Sequence, residues 1–291
     1  MSSLKVAKAL NNNVIIGMHP EHDEVVVIGK GIGFNRRAGD LISLDSVEKL
    51  FILKSHEEQE QYKRLLPELD EKLIEVIGEV LHLVQLQAKK PLNEHILIAL
   101  TDHIAFSINR QKQGITIHNP FLYETREIYP QEYKMAEQAV ALIKDKMDVD
   151  LGEDEIGFVA LHIYSAMTNQ HISEVRKDSR LIADMVQVVE TTLDYRIPLQ
   201  SLDYSRLLTH LRFAIERVRR GEIVQEIYRL DKLLNEEYPE MYMLAWKLTK
   251  IMEKRLRKPV YPAEVSYLTM HLQRLSQRKE QGEQQTVIKP E

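Results

Sequence analysis

The sequence predicts a multi-domain chain in which a small N-terminal antiparallel β-sheet domain is followed by two homologous all-α helical bundles. Three observations carry this expectation. Short Val- and Ile-rich runs broken by turn residues fill the first 55 positions. Apolar residues at helical spacing dominate from about residue 65 onward. The helical part is also written twice, since residues 129–163 lie on residues 238–272 without a gap at a constant offset of 109 residues. This alignment returns Tyr129-Pro130 as Tyr238-Pro239, Tyr133 as Tyr242, Ala136 as Ala245, Glu155 as Glu264 and His162 as His271. Upstream, Asp102-His103-Ile104-Ala105-Phe106 returns as Thr209-His210-Leu211-Arg212-Phe213 at an offset of 107, with Arg110 falling on Arg217. Each copy therefore holds an early and a late histidine, 59 residues apart in the first and 61 in the second. A unit this long is a duplicated domain, because solenoid repeats run about 20–50 residues.

Taken in order, Val6 to Ile16, Glu24 to Ile28, Leu41 to Leu44 and Leu50 to Leu53 read as strands, punctuated by Asn12-Asn13, His19-Pro20, Gly33 and Gly39-Asp40. About four strands are expected. Some 55 residues bury too little apolar surface to be comfortable alone, so a homodimer in which a second sheet covers the open face is the economical arrangement. A charged link, Glu57 to Arg64, then leads into helices. Leu69, Leu73, Val76, Ile77, Val80, Leu81 and Val84 follow helical periodicity, and further helices are expected over about 88–110, 130–147 and 153–168. Asn119-Pro120, Tyr129-Pro130 and Gly152 mark the connections. The second copy repeats the plan from about 172 to 278, giving roughly five helices per bundle. The expected domains are residues 1–56, 57–170 and 171–280. The polar stretch from Arg278 should be disordered, most clearly over 281–291.

Composition narrows the function. Of 291 residues, 44% are hydrophobic and 29% charged, as in ordinary globular proteins. No apolar run approaches the roughly 20 residues of a bilayer span, and the N-terminus lacks a signal-peptide core, so a cytoplasmic location is expected. Zero cysteines exclude disulfides, thiolate metal sites and a cysteine nucleophile. A net charge of −5 gives no global sign of nucleic-acid binding, so any such site must be local.

Gly29-Lys30-Gly31-Ile32-Gly33 after a strand invites a nucleotide-loop reading. The dinucleotide fingerprint needs glycine where Phe34 stands, no P-loop spacing is present and no helix pattern follows. A simple hairpin turn is the plainer alternative. Weighed together with Asn11, Asn12 and Asn13, however, the loop has the parts of a small RNA-recognition surface. Asparagine amides can donate to and accept from base edges, Lys30, Arg36 and Arg37 supply cations, the glycines admit a backbone, and Phe34 offers a stacking face. Residues 1–39 carry five Lys/Arg against three Asp/Glu, which suits shape-and-base recognition more than a broad electrostatic grip.

Leu10-Asn11-Asn12-Asn13-Val14, Val26-Val27-Ile28-Gly29-Lys30-Gly31 and Phe34, followed by two histidine-bearing helical copies, resemble the BglG/SacY/LicT family of transcriptional antiterminators over nearly the whole chain. Leu92-Asn93-Glu94-His95 and Ala99 to Phe106 are most similar to its glucose-type members. The resemblance implies a dimeric N-terminal co-antiterminator domain that binds a leader-transcript hairpin and keeps an overlapping terminator from forming. It also implies two phosphotransferase-system regulation domains and no enzymatic activity. Matched by motif, the RNA-binding residues would be Asn11, Asn13, Gly29, Lys30, Gly31 and Phe34. The phospho-acceptors would be His103 and His162 in the first copy and His210 and His271 in the second. The partners implied are the glucose permease, the phosphocarrier HPr and the leader RNA.

Imidazole suits that role, because it is nucleophilic near neutral pH and can take phosphate from a phosphohistidine or phosphocysteine. The phosphate adds about −1.5 to −2 of charge. Asp102 adjoins His103, whereas Arg206 and Arg217 share a helical face with His210, so the two copies are expected to answer phosphate with opposite sign. A histidine on an amphipathic helix is ordinarily a packing residue; that reading is kept for His19, His22, His56, His82, His118 and His171, and left open for His95. Glu155 with His162, and Glu264 with His271, are seven residues apart where compact metal motifs use three or four, so neither metal nor cofactor is expected. Met241, Met243 and Trp246 are expected to pack. A DNA-binding activator or phosphosignal adaptor built on the same regulatory copies is the alternative, disfavoured because no helix-turn-helix pattern precedes residue 60.

Overall fold

The computed structural model describes residues 3–10, 12–19, 23–29, 31–47, 49–52, 69–88, 91–93, 95–223 and 228–287. Five strands, β1 (Ser3–Ala9), β2 (Val14–His19), β3 (Asp23–Ile28), β4 (Leu41–Ser43) and β5 (Lys49–Ile52), form one antiparallel sheet in the order β4-β1-β2-β3-β5. There are five rather than about four because the run Val6 to Ile16 divides where Asn12 and Asn13 turn the chain, and its halves pair with Lys8 opposite Ile16. Alternation along the strands sends Leu4, Val6, Ile15, Val25 and Val27 to one face, where they pack with Ile32 and Ile42.

The ten helices of the described residues are α1 (Glu71–Gln87), α2 (His95–Lys112), α3 (Leu122–Ile128), α4 (Pro130–Met147), α5 (Glu153–Thr168), α6 (Ile172–Leu193), α7 (Leu202–Arg220), α8 (Tyr228–Glu237), α9 (Pro239–Leu256) and α10 (Ala263–Val287). The duplication is visible in their ends. Tyr129 and Tyr238 both stand at the N-cap with proline at the first helical position, where its missing N–H costs nothing and its fixed φ suits the helix. Asp148 and Arg257, again 109 residues apart, both close their helices in the left-handed conformation. The stretch expected to be disordered continues α10 as far as Val287. Its Gln, Glu, Lys and Arg residues are good helix formers, with only Gly282 opposing them; residues 288–291 lie outside the described residues.

The chain packs as two compact units, Met1–Leu122 with Tyr129–Val175, and Tyr123–Ile128 with Arg176–Glu291. In the first, the sheet is not a free-standing layer. Val14, Val26 and Ile28, on the face opposite Leu4, belong to one apolar cluster with Leu73, Ile74 and Ile77 of α1, which continues through α2, α4 and α5. These three side chains of β2 and β3 thus share an apolar core with the helices of the same unit. The expected boundary at 56/57 falls outside the described residues. The second unit takes residues 123–128 from the middle of the first copy. There Tyr204 Oη donates to Glu124 at 2.9 Å, Arg212 donates to the Ile128 carbonyl at 2.9 Å, and Ser205 donates to Glu127.

Local residues account for that departure from the repeat. In the second copy α8 is tethered to its own bundle through Asp231, which accepts from Ser266 at 2.7 Å and from Tyr242 at 3.1 Å. At the offset of 109 the first-copy counterpart of Ser266 is Gly157, which has no side chain to offer α3 such an anchor. Gly157 instead lets α5 close on Asn119 and Leu122, whose side chains occupy the space a Cβ would need. Met241 packs as expected, but Met243 and Trp246 are 59% and 46% exposed; of this helical trio only Met241 falls on the buried stripe shared with Leu244, Ala245 and Leu248.

Candidate functional site

At the sheet, the asparagine turn and the glycine loop are laced together. The Gly29 N–H donates to the Asn13 carbonyl at 3.0 Å, the Gly33 N–H to the Asn12 carbonyl at 2.8 Å, and the Gly31 N–H to the Asn13 side-chain oxygen at 2.7 Å. Gly31 sits at φ +69, where a side chain is disfavoured. Asn13 therefore braces the loop, a structural task its sequence position did not reveal. The bracing holds Phe34 outward at 61% exposure, with Arg36 and Arg37 exposed beside it. Gly29 is buried. Asn11 and Lys30 lie outside the described residues.

In the helical part, each copy brings its two histidines together. His103 on α2 and His162 on α5 have ring centroids 4.8 Å apart; His210 on α7 and His271 on α10 are stacked at 3.3 Å. Residues 59 or 61 apart in sequence meet because the early and late helices of each copy pack against one another.

The two pairs differ in what surrounds them. Glu155, 2% exposed on the first turn of α5, accepts from His103 Nε2 at 2.9 Å and from Ser107 Oγ at 2.9 Å, and its other oxygen accepts from Arg110. Burial alone would raise its pKa, but the bonds from His103, Ser107 and Arg110 outweigh burial and hold the carboxyl below the usual range. In the second copy the matching pair closes on itself, as Arg217 donates from Nε and NH2 to the two oxygens of Glu264 at 2.6 and 2.7 Å. His210 makes no bond to that carboxylate among the described residues. Its neighbours are cationic instead: burial, then Arg217 and Arg206, lower the pKa of His210, and burial, then His210, Arg274 and Arg206, push His271 down to about 4. Arg217 is thus already engaged, and Arg274, one turn past His271, joins Arg206 as a cation beside the rings. Neither Arg274 nor the Ser107–Arg110 bonds to Glu155 carried a sequence signal, though the Arg110/Arg217 and Glu155/Glu264 echoes pointed at the pairs.

The depressed pKa has a consequence for stability. An unfolded histidine titrates near 6.5, so between about 6.5 and 4 the unfolded chain takes up a proton that folded His271 refuses. The second unit is expected to lose stability as pH falls through that window, and His271→Asn should flatten that part of the profile. Urea midpoints measured from pH 7 to 4 check this, and a variant profile as steep as the parent's would refute it.

Among the described residues no helix is long and apolar enough to cross a membrane, and no group of three or more His, Asp or Glu side chains could hold a metal ion. Residues 4–60 match the family described as the CAT RNA binding domain, and residues 78–166 and 183–275 each match the PRD domain. The chain is similar to the PtsGHI operon antiterminator of Bacillus subtilis (strain 168), with 48% identity over 276 residues that cover 95% of this chain and 98% of that one. It is similar, too, to the GlcA/glcB genes antiterminator of Staphylococcus carnosus (strain TM300), 37% identical over 97% of this chain and 99% of the relative. The transcription antiterminator LicT of Bacillus subtilis is 33% identical over 94% and 99%. Among solved structures, the crystal structure of GlcT CAT-PRDI superposes with a TM-score of 0.54 at 50% identity, covering 58% of this chain and all of that one.

Proposed function

The chain belongs to the BglG family of transcriptional antiterminators, with a CAT RNA-binding domain and two PRD domains, and from that premise we propose how its particular residues serve. The N-terminal sheet domain (1–56) binds an imperfect hairpin in a leader transcript. The two regulatory copies (57–170 and 171–280) take phosphate from transport proteins, the glucose permease for the first and HPr for the second. The phospho-acceptors are His103, His162, His210 and His271. The observation that carries the reading is the meeting of both histidines in each copy, at 4.8 and 3.3 Å between ring centroids, where one phosphate would confront two rings. Relatives named for the ptsGHI operon and the glcA/glcB genes support a glucose permease gene as the target. The protein is placed in the cytoplasm, where transcript and phosphate donors meet.

RNA contact is assigned to Asn11, Asn13, Gly29, Lys30, Gly31 and Phe34. One such loop is a small footprint where specific nucleic-acid modules bury about 600–1,000 Å² or more, and a homodimer would present two. Phe34→Ala is expected to weaken hairpin binding by about 1–3 kcal/mol, the usual worth of one base–aromatic stack, and to leave the fold intact because the ring touches mainly solvent. A gel shift with full-length protein and leader RNA measures it; unchanged affinity would remove Phe34 from the interface. Incubating the full chain with each phosphorylated donor and mapping the modified residues tests the regulatory half.

A further inference from the structure

The two copies differ in what the early histidine has for company, and on the reading of His103 as a phospho-acceptor that difference decides which ring nitrogen reacts. We infer that Glu155 is a positioning residue that holds Nε2–H of His103 and so presents Nδ1 as the nitrogen that takes the phosphoryl group, a constraint absent from His210.

The carboxylate of Glu155 is buried and already receives Arg110 and Ser107. An ionised carboxylate only accepts hydrogen bonds, so the 2.9 Å contact to His103 needs the proton on Nε2. Attack on phosphorus needs a bare ring nitrogen, and the one remaining is Nδ1, which forms no hydrogen bond among the described residues. A phosphoryl group on Nε2 would instead displace the carboxylate's hydrogen bond and set about two negative charges against a buried anion. The imidazole side chain of His103 is 13% exposed, so it is not sealed from solvent.

The step balances without a further reagent. The Nδ1 lone pair forms a P–N bond to the phosphoryl group of a donor phosphohistidine or phosphocysteine, and the donor's P–N or P–S bond breaks with its electron pair leaving on that nitrogen or sulfur. The ring of His103 then carries positive charge, which Glu155 stabilises through the retained Nε2–H. This is the division of labour in which a carboxylate fixes the tautomer of a reacting histidine. In the second copy Arg217 occupies both oxygens of Glu264, so among the described residues no carboxylate selects a nitrogen of His210 and both isomers are open to it.

The test uses full-length protein with 15N-labelled histidine. Before phosphorylation, the His103 ring shifts should report a protonated Nε2 and a bare Nδ1. After treatment with phosphorylated transport proteins, and in parallel with potassium phosphoramidate, 15N and 31P spectra should show phosphate on Nδ1 at position 103. Glu155→Gln, which keeps size and an accepting oxygen, should retain the Nδ1 isomer with slower transfer, and Glu155→Ala should give both isomers. Phosphate on Nε2 in the parent protein, or an unchanged Nδ1 pattern in Glu155→Ala, overturns the inference. Modification of His103 by phosphoramidate at Nδ1 but by no protein donor would retain the positioning role and defeat the regulatory reading on its own. Circular dichroism checks that each variant is folded, and the isosteric glutamine keeps the test decisive if the alanine variant is not.

Discussion

His103→Ala is expected to leave antitermination switched on in the absence of glucose. The argument begins with charge. A phosphate on this ring brings about −1.5 to −2 of charge to within one side chain of Glu155, a carboxylate 2% exposed whose cationic partner Arg110 is already bonded to it. No further cation is bonded to this network among the described residues, so a phosphate on the outer ring nitrogen finds no bonded counter-ion there and is expected to loosen the α2–α5 contact. The sheet and these helices belong to one compact unit, with Val14, Val26 and Ile28 in the same apolar cluster as α1, α2, α4 and α5, which gives such a loosening a route to the RNA-binding surface. Without the imidazole, on the proposed reading, phosphate from the permease could no longer be placed at position 103 beside Glu155, and His162 alone would remain as an acceptor in this copy. Read-through of a leader–reporter fusion should then be the same with and without the sugar, where the parent protein differs by a factor within the roughly 5- to 150-fold range of ordinary allosteric coupling. Persistent repression of the variant in glucose-free medium would sink the assignment.

The second large effect concerns stability. Arg217→Ala is expected to cost about 3–5 kcal/mol, because it strips the carboxylate of Glu264, 2% exposed, of the guanidinium that bonds both its oxygens. Arg110→Ala should cost less, since Glu155 keeps His103 and Ser107. Replacing both partners together, as Arg217→Met with Glu264→Leu, should recover much of the loss, since an apolar pair of similar volume leaves no buried charge. Urea unfolding at pH 7 measures all three. Equal losses for the two arginine variants would show that the matched glutamates are supported alike, contrary to their bonding.

The repeat made much of this legible. An offset of 109 puts Glu155 over Glu264 and one of 107 puts Arg110 over Arg217 and the early histidine over its counterpart, and the helix boundaries at 130–147 and 239–256 follow the offset of 109. Alternating Val and Ile marked the strands, although the turn at Asn12-Asn13 had to be recognised to count them. What stayed hidden depends on geometry that identity of residues cannot carry. The same Glu and Arg bond each other in both copies, yet only in the first does the carboxylate also hold the histidine. That Val14 and Val26 join the core of the helices needed a third dimension, since the alternation that buries them is the same pattern a dimer face would show. The extension of α10 was missed because polarity was taken for disorder where propensity favours helix.

The placement of residues 123–128 bears on any attempt to dissect or recombine the molecule. A second copy excised at residue 171 leaves behind Glu124, and with it the acceptor for the buried hydroxyl of Tyr204, as well as the Ile128 carbonyl that Arg212 grips. Chimeras that trade whole repeats between relatives at that seam would inherit the same orphaned groups. A swap that carries the short helix along with residues 176–291 keeps donor and acceptor in one piece, so the natural module for engineering is discontinuous in the gene.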